Sequence, residues 1–189
     1  MAIQAIVFDC FGVLYRDNIS MLYDAVPEEK WSELQDIVHA ADHGFLSRAE
    51  YQQAVAELAG ITPEAMQQLD AQQHVRDESM VALVRSLKPR FKIGLLSNID
   101  SDSIYRLFPE GERAMLFDAV TLSAEVGLTK PTVEIFELAA RQLGVRPEEC
   151  IMIDDLEKNV TGAELAGMTG ILFTSERNLR RRLDEVSNA

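Results

Sequence analysis

Asp9, Ser97-Asn98, Lys130 and Asp154-Asp155 are side chains of the kinds that could act together on a phosphoryl group. A carboxylate can attack phosphorus and form an aspartyl-phosphate, in a reaction that depends mainly on positioning and electrostatics. Asp9 and Asp155 supply hard oxygen ligands suited to Mg²⁺, which would offset the repulsion between Asp9 and a phosphate dianion. Lys130 would add positive charge, and the Ser97 hydroxyl with a backbone N–H would hold a phosphate oxygen. Taken singly, each has a simpler reading. Asp9 could cap a turn, Ser97 or Asn98 a helix, and Lys130 could be a solvated lysine. Asp154-Asp155 is read equally well as a complement to a helix N-terminus or as a metal site. Their joint placement favours chemistry.

That placement follows from the elements expected around them. Apolar runs at 3–8, 91–96, 119–122, 151–153 and 170–173 read as short strands buried on both faces, and helical patterns separate most of them. Met80, Leu83, Val84 and Leu87 share one helix face, and Pro89 ends it. Val133, Phe136, Ala140 and Leu143 form a second face ended by Gly144, and Leu179, Leu183 and Val186 a third. Alternation of this kind predicts an α/β fold with a parallel sheet and right-handed crossovers. In such a sheet the carboxyl ends of the strands converge on one edge, so Asp9, Ser97, Lys130 and Asp154-Asp155 are expected to meet there.

The stretch 15–79 breaks the alternation. It shows no convincing strand but carries the helical faces Trp31-Leu34-Val38-Ala41 and Tyr51-Ala54-Val55-Leu58. Ser47-x-x-Glu50 is a capping box, and Thr62-Pro63 opens a further helix. An all-helical insert directly after the Asp9 loop would sit over the reactive edge as a lid. The expected division is an α/β core of residues 1–14 and 80–189, with residues 15–79 as a helical cap. Tyr15, Arg16, Asp17 and Asn18 are read as a hinge or a substrate-facing segment.

Composition narrows the function classes. With 31 acidic and 18 basic residues the net charge is −13, which opposes sequence-independent nucleic-acid binding. An anionic substrate therefore needs local positive charge. No apolar run reaches membrane-spanning length and no N-terminal targeting signal is seen, so a cytoplasmic protein without membrane or nucleic-acid partners is expected. The two cysteines, Cys10 and Cys150, read as buried thiols rather than a disulfide. His39, His43 and His74 lack metal-ligand spacing and read as surface or packing residues. Arg48 could reach an anionic substrate, but reads more simply as a solvated arginine near a helix cap. Arg177, Arg180, Arg181 and Arg182 are followed by Asp184 and Glu185 and read as a solvated helix face.

Val7-Phe8-Asp9-Cys10-Phe11-Gly12-Val13-Leu14, Leu96-Ser97-Asn98, Gly127-Leu128-Thr129-Lys130-Pro131 and Ile153-Asp154-Asp155 resemble the four motifs of the haloacid dehalogenase-like hydrolase superfamily, in order and spacing. The tail from Asn159-Val160 through Ala166-Gly167-Met168 is similar too. The insert, with Gly44-Phe45-Leu46-Ser47-x-x-Glu50-Tyr51, resembles the superfamily's small helical (C1-type) cap. The resemblance implies a Rossmann-like core, a mobile cap, Mg²⁺ and a small phosphorylated substrate. It implies Asp9 as nucleophile, Ser97 as phosphate-binding hydroxyl and Lys130 as charge-neutralising lysine. Asp9, Asp155 and the backbone carbonyl of Phe11 would hold the metal, with Asp154 and Asn159 supporting. Phe11, Gly12 and Asn98 are the expected substrate-binding residues.

One position departs from that pattern. Family phosphatases usually carry a second Asp two residues after the nucleophile as general acid; here it is Phe11, which cannot transfer a proton. General acid catalysis contributes about 10²–10⁴-fold, so aryl or acyl phosphates would suffer less than alkyl phosphates. True haloacid dehalogenases also carry an aromatic at this position and need no metal, but they lack an adjacent acid pair in the fourth motif. Two alternatives therefore stand beside a Mg²⁺-dependent phosphatase: a metal-independent dehalogenase-like hydrolase, and a catalytically weak phospho-ligand-binding protein. Acids crowded at an edge repel one another unless a cation is present, and the intact Asp154-Asp155 favours the metal.

Overall fold

The computed structural model describes residues 2–17, 19–99 and 101–187; Asn18 lies outside them. Strands β1 (Ala5–Phe8), β4 (Lys92–Ser97), β5 (Ala119–Leu122), β6 (Cys150–Asp154) and β7 (Thr169–Leu172) form one sheet, in the order β5-β4-β1-β6-β7. Every pairing in it is parallel. The period-2 geometry of a strand sorts its side chains to two faces. Ile6, Phe8, Ile151 and Ile153 point into one apolar cluster, together with Met80, Val84, Leu179 and Leu183. Ala5, Val7, Cys150 and Met152 point into another, with Ile135, Phe136 and Ala140. Both faces are thus covered, as the uninterrupted apolar runs predict.

The helices are α1 (Ser20–Ala25), α2 (Trp31–Asp42), α3 (Arg48–Ala59), α4 (Pro63–Gln73), α5 (Glu78–Leu87), α6 (Ser101–Leu107), α7 (Glu110–Leu116), α8 (Ser123–Val126), α9 (Val133–Leu143), α10 (Glu157–Leu165) and α11 (Glu176–Ser187). Helices α1 to α4 lie in the insert and share an apolar cluster of their own, built on Leu22, Leu34, Val55, Leu58 and Met66. The capping box of α3 forms: the Ser47 side chain accepts from the Glu50 N–H and the Glu50 side chain accepts from the Ser47 N–H. Thr62 caps α4 through the Ala65 N–H. Asp77 caps α5, accepting from Ser79 and Met80.

The insert is not wholly helical. β2 (Tyr15–Asp17) and β3 (His74–Arg76) pair antiparallel, with Tyr15 opposite Arg76 and Asp17 opposite His74. This two-stranded ribbon carries the chain into the helices and back out. Three-residue strands are too short to show an alternation in sequence; only their pairing defines them.

β1 is central, and the chain leaves it first toward β4 and β5, then returns to add β6 and β7 on the other side. The crevice between β1 and β6 is therefore the topological switch point, where open α/β sheets bind ligands. Phe8 pairs with Leu95 and with Ile153, so Asp9, Ser97 and Asp154 emerge together at the carboxyl edge. No helix among the described residues is long and apolar enough to cross a membrane. Cys10 and Cys150 are both free and buried.

Candidate active site

The loop after β1 turns tightly. The Asp9 N–H donates to the Ile153 carbonyl at 2.9 Å, and the Leu14 and Tyr15 N–H groups both donate to the Cys10 carbonyl. Asp9 is 6% exposed, and its Oδ1 accepts from the Cys10 N–H at 2.6 Å. Gly12 has φ +76°, which favours glycine, and a Cβ there would lie 2.1 Å from Oδ2 of Asp155. The missing side chain leaves room for the Asp155 carboxylate. Asp9, Asp154 and Asp155 bring one carboxylate oxygen each to within 4.8 Å of the others.

Lys130 sits among these acids. Its Nζ lies 2.8 Å from Asp9 Oδ1 and 2.7 Å from Asp154 Oδ2, and the residue is buried. The Asn98 side chain holds the lysine's backbone, accepting from its N–H at 2.9 Å and donating to its carbonyl at 3.2 Å. Asp154 is fully enclosed, and its other oxygen accepts from the Leu156 N–H and the Asn159 Nδ2, at 3.0 and 2.9 Å. Both Asp154 oxygens are thereby engaged, whereas Asp155 is partly exposed. The Ser97 hydroxyl is buried at the end of β4 with no hydrogen-bond partner among the described residues. A buried hydroxyl in that state is costly unless something else meets it.

Burial pushes the Asp9 carboxyl up, and the Asp154 charge adds to the rise against the opposing pull of Lys130. Burial acts to lower Lys130, but the two carboxylates outweigh it and hold the ammonium above its ordinary value. One buried cation among three acids leaves the cluster electron-rich. The set is all-oxygen and has one acid open to solvent, which fits a hard divalent cation kept partly hydrated.

Between sheet edge and insert lies a cavity of about 120 Å³, which adjoins the site through Phe11 and Asn98 and not through the three acids themselves. Phe11 lines it and packs on His74, ring centroids 4.4 Å apart. Phe11 is thus in the cavity wall, at the ribbon, and Asn98 reaches the same cavity. Arg48 also lines it, which corrects the reading of that residue as a solvated arginine: it ion-pairs with buried Asp70 of α4 and donates to Ser103 of α6 at 3.4 Å. Arg106 approaches Asp70 at 3.6 Å. Arg48, Asp70, His74, Ser103 and Arg106 come from α3, α4, β3 and α6. No sequence spacing links them, so only the docking of the insert on the sheet reveals the group.

Residues 3–167 match the haloacid dehalogenase-like hydrolase family. A glyceraldehyde 3-phosphate phosphatase of Methanothermobacter thermautotrophicus is 44% identical over 61 residues, covering 32% of this chain and 27% of that protein. A phosphoserine phosphatase of Thermus thermophilus is 40% identical over 72 residues, covering 38% of this chain and 28% of that protein. The matched segments thus span little more than a quarter of either phosphatase. In fold, the chain is similar to a HAD family enzyme of Bacteroides thetaiotaomicron, with TM-score 0.82 at 21% identity over 97% of this chain and 99% of that one. The same enzyme in complex with magnesium and inorganic phosphate aligns with TM-score 0.76 at 20% identity, over 93% of this chain and 96% of that one. The four motifs, the five-stranded parallel sheet and the helical insert after β1 make this chain a member of the haloacid dehalogenase-like hydrolase family.

Proposed function

We propose that the protein is a Mg²⁺-dependent hydrolase of a small phosphorylated metabolite, with Asp9 as nucleophile. The observation that carries this reading is the gathering of Asp9, Asp154 and Asp155 around buried Lys130, next to a cavity. Asp9, Asp155 and the Phe11 carbonyl would hold Mg²⁺, with Asp154 and Asn159 orienting the loop around them. The bound ion would supply positive charge that draws the substrate phosphate to the Asp9 carboxylate. Support comes from the phosphatase relatives and from the magnesium and phosphate bound by the similar fold.

An Asp9 carboxylate oxygen attacks phosphorus, and the bond from phosphorus to the leaving oxygen breaks. Lys130 keeps Asp9 oriented and balances charge as the phosphoryl group arrives. The Ser97 hydroxyl donates to a phosphate oxygen, which gives that buried group its partner. Phe11, Gly12 and Asn98 border the substrate. Phe11 gives no proton to the leaving oxygen, which departs as an anion protonated by solvent. Water then attacks the phosphorus of the aspartyl-phosphate, releasing inorganic phosphate and restoring Asp9. Residues 15–79 act as a cap that moves relative to a core of residues 1–14 and 80–189 to admit substrate.

Phe11 favours a second reading, metal-independent displacement on carbon, so both are tested in one series. Aryl and alkyl phosphates and 2-haloacids are assayed with Mg²⁺ and with chelator. The phosphatase reading expects aryl phosphate turnover that needs metal and is abolished in Asp9→Asn. Halide release without metal overturns it in favour of dehalogenation. Inactivity on all substrates with retained Mg²⁺ or phosphate binding makes the protein a binding module.

A further inference from the structure

We propose that Ser123 is a positioning residue, through which docking of the helical insert sets the loop that holds Lys130; its catalytic consequence rests on the phosphatase reading above. Ser123 follows β5 and is fully buried. Its hydroxyl accepts from the Ile99 N–H at 2.9 Å and donates to the carbonyl of Asp42, the last residue of α2, at 2.5 Å. Ile99 directly follows Asn98, whose side chain pins both the N–H and the carbonyl of Lys130. One hydroxyl therefore joins the insert to the loop that clamps the lysine.

The next two residues of the insert reinforce the contact. His43 Nε2 lies 3.2 Å from Oγ1 of Thr129, the neighbour of Lys130. Gly44, at φ +74°, lies flat on α8: a Cβ there would come within 2.7 Å of the Ala124 Cβ and 2.9 Å of its Cα. Residues 42–44 thus touch Ser123, Ala124 and Thr129, all in the segment that leads from β5 to Lys130. A hydroxyl has a single proton, and where that proton goes decides where its lone pairs point. While Asp42 accepts the proton, a lone pair faces Ile99, and the two hydrogen bonds strengthen each other. With the insert displaced the proton must find another acceptor, and the Ile99 N–H loses its aligned partner. Enclosure of the cavity and placement of Lys130 are in this way coupled.

The test uses the full chain with Mg²⁺ and 4-nitrophenyl phosphate, assayed well below the melting temperature of each variant. Ser123→Ala removes the relay, Gly44→Ala holds the insert off α8, and the double variant combines them. A relay expects kcat to fall on the order of tenfold in each single variant. KM should stay within about twofold, because neither side chain touches substrate. The double variant should be no slower than the slower single one. Unchanged kcat in folded Ser123→Ala overturns the proposal and leaves Ser123 a stabilising residue only. Losses that multiply in the double variant overturn it too, because the two sites then act independently. Should Ser123→Ala not fold, Ser123→Cys takes its place under the same criteria. If the wild-type protein turns over no phosphate ester, the phosphatase reading fails by itself, and the relay is judged by hydrogen exchange at the Ile99 amide. Faster exchange there in Gly44→Ala, whose substitution lies outside that hydrogen bond, then sustains it, and unchanged exchange overturns it.

Discussion

Phe11 and His74 pack ring against ring, with centroids 4.4 Å apart and planes tilted by 37°. The side chain two residues beyond Asp9 is therefore part of an apolar contact with the ribbon strand β3. Phe11 makes a packing contact at the wall of the cavity and carries no group that could transfer a proton.

Phe11→Asp should consequently raise alkyl phosphate turnover more than aryl phosphate turnover, by up to about 10²-fold. Steady-state kcat/KM across a leaving-group series measures the gain. A folded, Mg²⁺-binding variant with no gain on alkyl phosphates would show that the missing acid is not what limits the reaction.

Lys130 bridges two buried acids, with its Nζ 2.8 Å from Asp9 and 2.7 Å from Asp154. Lys130→Met should destabilise the metal-free protein by about 3–5 kcal/mol, because two buried carboxylates lose their partner. Adding Asp9→Asn to that variant should recover part of the loss. Urea denaturation with chelator present measures both; a Lys130→Met variant as stable as wild type would contradict the buried arrangement.

Gly12→Ala places a methyl where the Asp155 carboxylate lies. Mg²⁺ affinity should fall by about 10–100-fold, the usual cost of disturbing a residue that orients a ligand. Calorimetric titration with Mg²⁺ reads the change. Undiminished affinity would remove Asp155 from the ligand set.

Arg76 of β3 holds Glu112 of α7 through two hydrogen bonds, at 2.7 and 2.5 Å, tying the ribbon to the core. Those bonds lower the Glu112 carboxyl below its ordinary 4.5. A carboxyl lowered on folding adds stability above its unfolded pKa and loses it as pH falls through the folded value. Glu112→Gln should therefore cost about 1–2 kcal/mol at neutral pH. The gap to wild type should close as the pH drops below 4.5. Denaturation midpoints across pH test this; a gap that persists in acid would mean that charge is not its source.

Much of the fold was legible because strand and helix periods are local properties of the chain. The run Ile6-Val7-Phe8 reads as a strand buried on both sides, and in the sheet its residues alternate between two apolar clusters. Ser47 with Glu50 and Thr62 with Pro63 mark helix starts by hydrogen bonds that span only three residues. Residues 15–17 and 74–76 were missed as strands because each is defined by its partner more than fifty residues away. His74 reads as part of a helical block for the same reason, and for Arg48 a solvated position reads as simpler than a substrate-facing one because nothing near it in sequence announces Asp70.

By itself, the sequence determined the family, the order of the elements and the four segments that reach the edge, since a strand that ends in an acid must deliver it at its own carboxyl end. Tertiary structure decided which groups share charge and space. It put Lys130 between Asp9 and Asp154, left Asp155 partly open beside Gly12, and closed Ser123 between Ile99 and Asp42. Such relationships depend on distances of 2.5 to 3 Å between residues 24 to 121 positions apart. Only the packing of sheet, loops and insert fixes distances of that kind, because no local backbone preference acts over so many residues.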